Sequence, residues 1–116
     1  MKASNIREHL THTEFTVNGI SAKINLMGRH NVYNALAAWA AAAANGISQE
    51  DIIRGLAALS GVPGRMERIN EGQSFYTFVD FAYTDESLQR AFKTVEPFKK
   101  EKVFVVFGCG GQRNVL

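Results

Sequence analysis

One cysteine and two prolines among 116 residues remove two common ways of bracing a small protein. A lone thiol, Cys109, can form neither an internal disulfide nor a cysteine-based zinc site, and points to a reducing compartment. Charge of one sign is also missing. The 13 basic and 11 acidic residues are well mixed for a net +2, so there is no basic stripe for nucleic acid and no acidic solvating tail. Long apolar runs are absent as well: the stretch from Ala35 to Ala44 has about half of the roughly twenty residues that cross a bilayer. Met1-Lys2-Ala3-Ser4-Asn5-Ile6-Arg7 lacks the apolar segment of a signal peptide. The chain therefore reads as cytoplasmic and soluble, with no nucleic-acid and no membrane partner. A hydrophobic share of 46% against 21% charged residues excludes disorder and permits one small domain or parts of two. Also lacking are a Gly-x-x-Gly-Lys-Thr/Ser phosphate loop and an acidic pair with an obvious magnesium role.

What is present is organised around Gly28-Arg29-His30-Asn31-Val32-Tyr33-Asn34-Ala35-Leu36-Ala37-Ala38, where a glycine turn feeds two asparagines into an alanine-dense helix. Asn31 is expected to be the N-cap, with Asn34 about one turn further on. A carboxamide carries a donor beside an acceptor, the complement of the N6/N7 edge of adenine, and a helix N-terminus favours anions. An adenine nucleotide fits this stretch, and so does an ordinary capped helix.

Phe15 and Val17 alternate with polar neighbours, Asn18-Gly19 is a two-residue hairpin signal, and Ala22, Ile24 and Leu26 alternate again. An antiparallel hairpin is expected there, running into the Gly28 turn. The first helix places Leu36, Trp39 and Ala43 on one side and stops at Gly46. Ser48 caps a second helix with Ile52, Ile53, Leu56 and Leu59 as its apolar stripe. Gly61-Val62-Pro63-Gly64 is the densest turn signal in the chain, and the domain boundary is placed at Val62/Pro63, giving domains 1–62 and 63–116. Beyond it are expected a short strand near Met66 to Ile69, a central strand from Phe75 to Asp80, a helix capped by Thr84 that ends before Pro97, and a last strand from Val103 to Phe107. Strand, helix and strand in that order make a right-handed parallel crossover, the opening of a Rossmann-like sheet. A self-sufficient α/β domain normally continues past one such unit, so the sequence reads as a piece with exposed sheet edges, inclined to form a homodimer.

Several polar residues fall where chemistry could occur. Asp80 closes the strand from Phe75, on the side where open α/β sheets bind ligands; it could accept from ribose hydroxyls or cap the Tyr83-Thr84 turn. Arg65, just past the boundary, could reach a phosphate with two parallel hydrogen bonds or lie at the surface beside Glu67. The Gly108-Cys109-Gly110-Gly111 loop could hold an anion on its amides but is no Walker motif. Cys109 has no histidine partner nearby and reads as a small buried filler. His30 could touch a base or simply be solvated. His9 and His12 lie three apart with no third ligand in sight and are not assigned a metal.

Four stretches resemble the Mur ligases, the ATP-dependent enzymes that add amino acids to the peptidoglycan precursor. They are the Gly28–Ala38 helix start, Gly61-Val62-Pro63-Gly64-Arg65-Met66-Glu67, Val79-Asp80-Phe81-Ala82-Tyr83-Thr84, and Val105-Val106-Phe107-Gly108-Cys109-Gly110-Gly111-Gln112-Arg113. Together they look most like the MurE type, which joins diaminopimelate or lysine to UDP-N-acetylmuramoyl-dipeptide. The resemblance implies an α/β fold, with the end of a central ATPase domain over 1–62 and the start of a Rossmann-like C-terminal domain over 63–116. It also implies ATP with Mg²⁺, the Mg²⁺ ligands lying outside this chain, and a UDP-muramoyl-peptide as partner of the full-length enzyme. Nucleotide-binding roles are carried onto Asn31, Asn34, Arg65, Asp80 and Tyr83, and no catalytic residue is assigned. Tyr83 stands where the family has histidine, Phe81 where it usually has tyrosine, Asp85 where it has proline, and Gln112 and Asn114 replace two acids. A phenol is not an imidazole's equal as a proton carrier at neutral pH. Two alternatives remain open at this level: a non-catalytic nucleotide-binding or interaction module of the same descent, and a relative of the folylpolyglutamate or cyanophycin synthetases. By itself the chain is expected to have no ligase activity.

Overall fold

Residues 1–108 are described by the structure, a computed structural model. Contacts divide the chain into two compact units, Met1–Phe81 and a second beginning at Ala82, each taken here by itself.

The first unit opens with a three-stranded antiparallel sheet, β1 (Ala3–Glu8), β2 (Thr13–Val17) and β3 (Ile20–Ile24), in that spatial order. Phe15 and Val17 on β2 and Ala22 and Ile24 on β3 are buried, whereas Thr16, Ser21 and Lys23 are not. That is the alternation expected of a sheet with one covered face. Asn18 and Gly19 both have positive φ, 50° and 83°, the backbone of a type I′ turn, which matches the twist of the flanking strands. β1 has no counterpart in the sequence-based expectation. Its Ser4, Asn5, Arg7 and Glu8 show no apolar alternation, because an edge strand needs only a few inward residues; Ala3 and Ile6 serve. Its register with β2 slips between Ser4 and Arg7, where Asn5 takes φ 50°.

Helix α1 (Arg29–Ala44) covers the sheet with Val32, Ala35 and Trp39 buried, spacings of three and four that keep them on one face. The expected stripe needs correction. Trp39 holds, Leu36 is half-buried, and Ala43 is exposed, because the seam runs from Val32 through Ala35 to Trp39 and Ala42. The helix ends as expected on Gly46: Gly46 N–H donates to Ala43 O and Ile47 N–H to Ala42 O, the two bonds of a Schellman cap. Helix α2 (Gln49–Ala58) starts at Ser48, whose Oγ accepts from Asp51 N–H. It buries Ile52, with Ile53 and Leu56 packed at the margin of the core. Leu59 lies past the helix end in extended backbone and is exposed. Asn25 Nδ2 donates to Ala57 O at 2.8 Å and ties the end of β3 to α2, while Thr13 Oγ1 donates to Leu26 O at 2.9 Å and holds the chain leaving β3 against β2.

After the Gly61–Gly64 turn, β4 (Glu67–Ile69) and β5 (Thr77–Val79) pair antiparallel as a separate two-stranded sheet. The strand expected to be central is thus a short hairpin arm, with Phe75, Tyr76 and Val79 exposed. In the second unit, α3 (Asp85–Val95) begins at Thr84 with a reciprocal Thr84–Ser87 capping box and leads into a 3-10 turn over Glu96–Phe98. The strand expected over Val103–Phe107 is not formed. Residues 102–108 carry no strand, and Phe104 and Val106 are almost fully exposed, since an apolar run becomes a strand only where neighbouring strands take up its backbone groups.

Phe15→Ala should lower stability by about 3–5 kcal/mol through the cavity it leaves, whereas Lys23→Ala, on the open face of the same sheet, should stay within about 0.5 kcal/mol. Urea unfolding followed by the fluorescence of Trp39, the single tryptophan, checks both.

Candidate functional site

The chain leaves β3 and enters α1 through Gly28, at φ 89° and ψ 139°. Side chains rarely tolerate that conformation, and a glycine adopts it without a Cβ clash. Gly28, not Asn31, is the N-cap, and no side chain caps the helix. Asn31 is instead the third helical residue and is buried at 8% exposure. Its Nδ2 donates to Met27 O at 2.9 Å, and its Oδ1 accepts from Asn34 Nδ2 at 3.1 Å. The order of this relay follows from its first member. A backbone carbonyl can only accept, so the Asn31 amide group must face it, its oxygen must face Asn34, and Asn34 must donate. One N–H and the Oδ1 of the exposed Asn34 then remain turned outward, a donor beside an acceptor.

A second cluster is built on the turn after Pro63. Gly64 N–H donates to Glu67 Oε2 at 2.8 Å, Arg65 N–H to Val62 O at 3.0 Å, and Met66 N–H to Asp80 Oδ2 at 2.8 Å. Phe81 N–H returns to Gly64 O at 2.8 Å. Met66 sits at φ 47°, a left-handed conformation that costs a β-carbon-bearing residue about 1 kcal/mol or more and is held here by its bond to Asp80. Asp80 therefore caps the Gly64–Glu67 turn and not the Tyr83-Thr84 turn of the alternative reading, where Ser87 takes the cap. Arg65 lies between two pinned residues with its side chain exposed. Together with Lys23, Arg68, Asn25 and Phe78 it lines a cleft of about 520 Å³, whose wall also carries the Glu67 carboxylate and His12, so cations, an acid and an aromatic ring share one mixed surface.

Asn31 and Asn34 thus form one bonded pair, and Arg65 and Asp80 belong to a second cluster. Tyr83 lies in the second unit and is exposed. The Cys109 loop, with Gln112, Arg113 and Asn114, lies outside the described residues. Sequence reasoning missed the packing around His12, which is half-buried with its pKa lowered. Burial is the largest cause, Lys23 and His9 add to it, and Glu14 opposes it. Among the described residues one group of three could hold a metal, His9, His12 and Glu14. Two imidazoles and one carboxylate do not suit Mg²⁺, which takes oxygen ligands, and no magnesium-dependent step is assigned to these residues.

Residues 1–42 match the Mur ligase middle domain and residues 64–115 the Mur ligase glutamate ligase domain, and the chain belongs to the Mur ligase family. It is 48% identical over 95 residues to the UDP-N-acetylmuramoyl-L-alanyl-D-glutamate–2,6-diaminopimelate ligase of Geobacillus thermodenitrificans, across 82% of this chain and 19% of that protein. The enzyme of the same name from Clostridium tetani is 42% identical over 98% of this chain and 25% of its own length. Among solved structures, the UDP-N-acetylmuramoylalanyl-D-glutamyl-2,6-diaminopimelate–D-alanyl-D-alanyl ligase of Acinetobacter baumannii superposes with a TM-score of 0.70 at 28% identity, over 81% of this chain and 22% of that one. The chain spans about a fifth to a quarter of the length of the curated relatives it matches. No helix of the described residues is long and apolar enough to cross a membrane.

Asn31→Ala leaves Met27 O buried without its donor and should cost about 1–3 kcal/mol, read by urea unfolding. Asp80→Ala should speed amide hydrogen exchange at Met66 while the sheet amides of β2 keep their protection.

Proposed function

We propose that this chain is the nucleotide-facing part of a cytoplasmic, ATP-dependent ligase that adds diaminopimelate or lysine to UDP-N-acetylmuramoyl-dipeptide in peptidoglycan synthesis. The observation that carries the reading is the Met27–Asn31–Asn34 relay, which presents one donor and one acceptor of Asn34 outward on a helix start that matches the family. In this reading Asn34 holds the adenine edge, Asn31 orients Asn34 without touching the base, Asp80 offers its second oxygen to the ribose, and Arg65 pairs with a phosphate. Tyr83, three residues after Asp80, contributes a phenol where the family has an imidazole. ATP, when bound, supplies the phosphoryl group that activates a peptide carboxylate; the residues here bind and orient it.

Residues 1–62 are assigned to the central ATP-binding domain and 63–116 to the C-terminal domain. In favour of a boundary at Val62/Pro63 is the turn chemistry of Gly61–Gly64, whose last residue is where the second family match begins. The exposed edges of the two small sheets favour a homodimer in solution, and a monodisperse monomer by light scattering would remove that part of the reading.

The 116-residue chain with Mg-ATP and UDP-muramoyl-dipeptide should release no phosphate above buffer, since its sequence carries no Gly-x-x-Gly-Lys-Thr/Ser phosphate loop. The roles are tested in a chimera that carries this stretch in place of the matching one in the Geobacillus thermodenitrificans ligase. Asn34→Ala should raise KM for ATP about tenfold, as expected for one lost bidentate contact, and leave KM for the UDP-precursor unchanged. An unchanged KM for ATP in a folded, active chimera defeats the assignment.

A further inference from the structure

The β1–β2 turn carries a cluster that the nucleotide reading does not use. His9 N–H donates to His12 O at 2.9 Å, so the two histidines flank the Leu10-Thr11 turn as a directly opposed cross-strand pair. In that register their side chains share one face of the sheet. Glu14, two residues after His12, shares that face. The rings of His9 and His12 stack with centroids 4.3 Å apart and planes 13° from parallel. Glu14 lies beneath both edges: His9 Nε2 is 3.9 Å from Oε2 and His12 Nε2 is 3.7 Å from Oε1. One ligand atom from each residue falls within a group whose members all lie within 4.8 Å of one another.

We propose that His9, His12 and Glu14 form a binding site for a nitrogen-preferring divalent transition-metal ion such as Zn²⁺, with water completing the shell. Bonds of about 2.0–2.2 Å in tetrahedral geometry put neighbouring ligand atoms about 3.4 Å apart; the two imidazoles now face different oxygens of Glu14, so the carboxylate must turn to offer one oxygen to a shared ion while the three ligand atoms, all within 4.8 Å of one another, draw together by up to about 1.4 Å. The nearly parallel rings must also splay until their in-plane lone pairs converge, a rotation about the Cβ–Cγ bonds, which turn easily in histidine. The three side chains are 45%, 23% and 46% exposed, open enough to turn and to admit a hydrated ion. Thr11 Oγ1 lies 3.1 Å from His12 Nδ1. With Nδ1–H given to that hydroxyl, Nε2 keeps its lone pair for the metal, the outer-shell arrangement usual for ligating histidines. Working against the ion are Arg7 and Lys23, the two residues opposite Glu14 in the sheet. The stacked pair and its carboxylate could otherwise be a surface ion pair of little energetic weight, and metal binding separates the two readings.

The test uses the whole chain with Cys109→Ser, which removes the one thiol, titrated with Zn²⁺ by calorimetry and with Co²⁺ by visible absorption. One ion should bind per chain, with Co²⁺ bands of low-symmetry or tetrahedral intensity. His9→Ala, His12→Ala and Glu14→Gln should each weaken Zn²⁺ about tenfold or more, Thr11→Val should do so more mildly through His12 orientation, and His30→Ala should change nothing. Far-UV circular dichroism and Trp39 fluorescence confirm that each variant is folded. Absent binding, binding unmoved by the His9→Ala/His12→Ala double variant, or equal displacement of Co²⁺ by millimolar Mg²⁺ overturns the proposal.

Discussion

The buried amide of Asn31 is the constraint on which the candidate site depends. A carboxamide at 8% exposure next to Val32, Ala35 and Met27 must have its polar atoms satisfied by the protein, or folding loses on the order of 1–3 kcal/mol. The carbonyl of Met27 reaches it only because Gly28 turns the chain through a left-handed conformation directly before the helix. Core packing, a glycine backbone and one hydrogen bond therefore fix which way Asn31 points, and Asn31 fixes which atom of Asn34 it engages.

The Gly64–Glu67 turn uses the same economy. Its peptide groups are tied locally by Val62 and Glu67 and, from the far side of the β4–β5 hairpin, by Asp80 and Phe81. Arg65 keeps a free-standing side chain on a braced backbone. A long cation on a stiff base loses less freedom on meeting a phosphate than one on a loose loop. Asp80 has a double assignment in this arrangement, one oxygen spent on Met66 and one left to accept.

Much of this was legible beforehand, and the legible parts share a cause. The Asn18-Gly19 hairpin, the Gly46 stop, the Ser48 cap and the Thr84 cap are decided by residues within four positions of one another, where backbone preference and a single side-chain bond settle the conformation. The family likeness of the Gly28–Ala38 and Gly61–Glu67 stretches was legible for the same reason, since both are short and carry their glycines and polar residues at fixed offsets. The misread parts are those whose partners lie elsewhere. Strand β1 looked like a polar lead-in because an edge strand borrows its order from β2. Val103–Phe107 looked like a central strand because apolar composition alone does not say whether neighbouring strands are there to pair with it.

By itself, then, the sequence determined the Asn18-Gly19 turn, the Gly46 stop, the Ser48 and Thr84 caps and the family of this protein, because those are set by local sterics and by motifs of fixed spacing. Only the tertiary structure decided that Gly28 is the cap and Asn31 the buried relay, that Asp80 bonds Met66, and that His9, His12 and Glu14 meet on one face. Each of those outcomes requires two chain segments to be brought side by side, and the geometry of such a meeting is set by packing and register, which no single stretch contains.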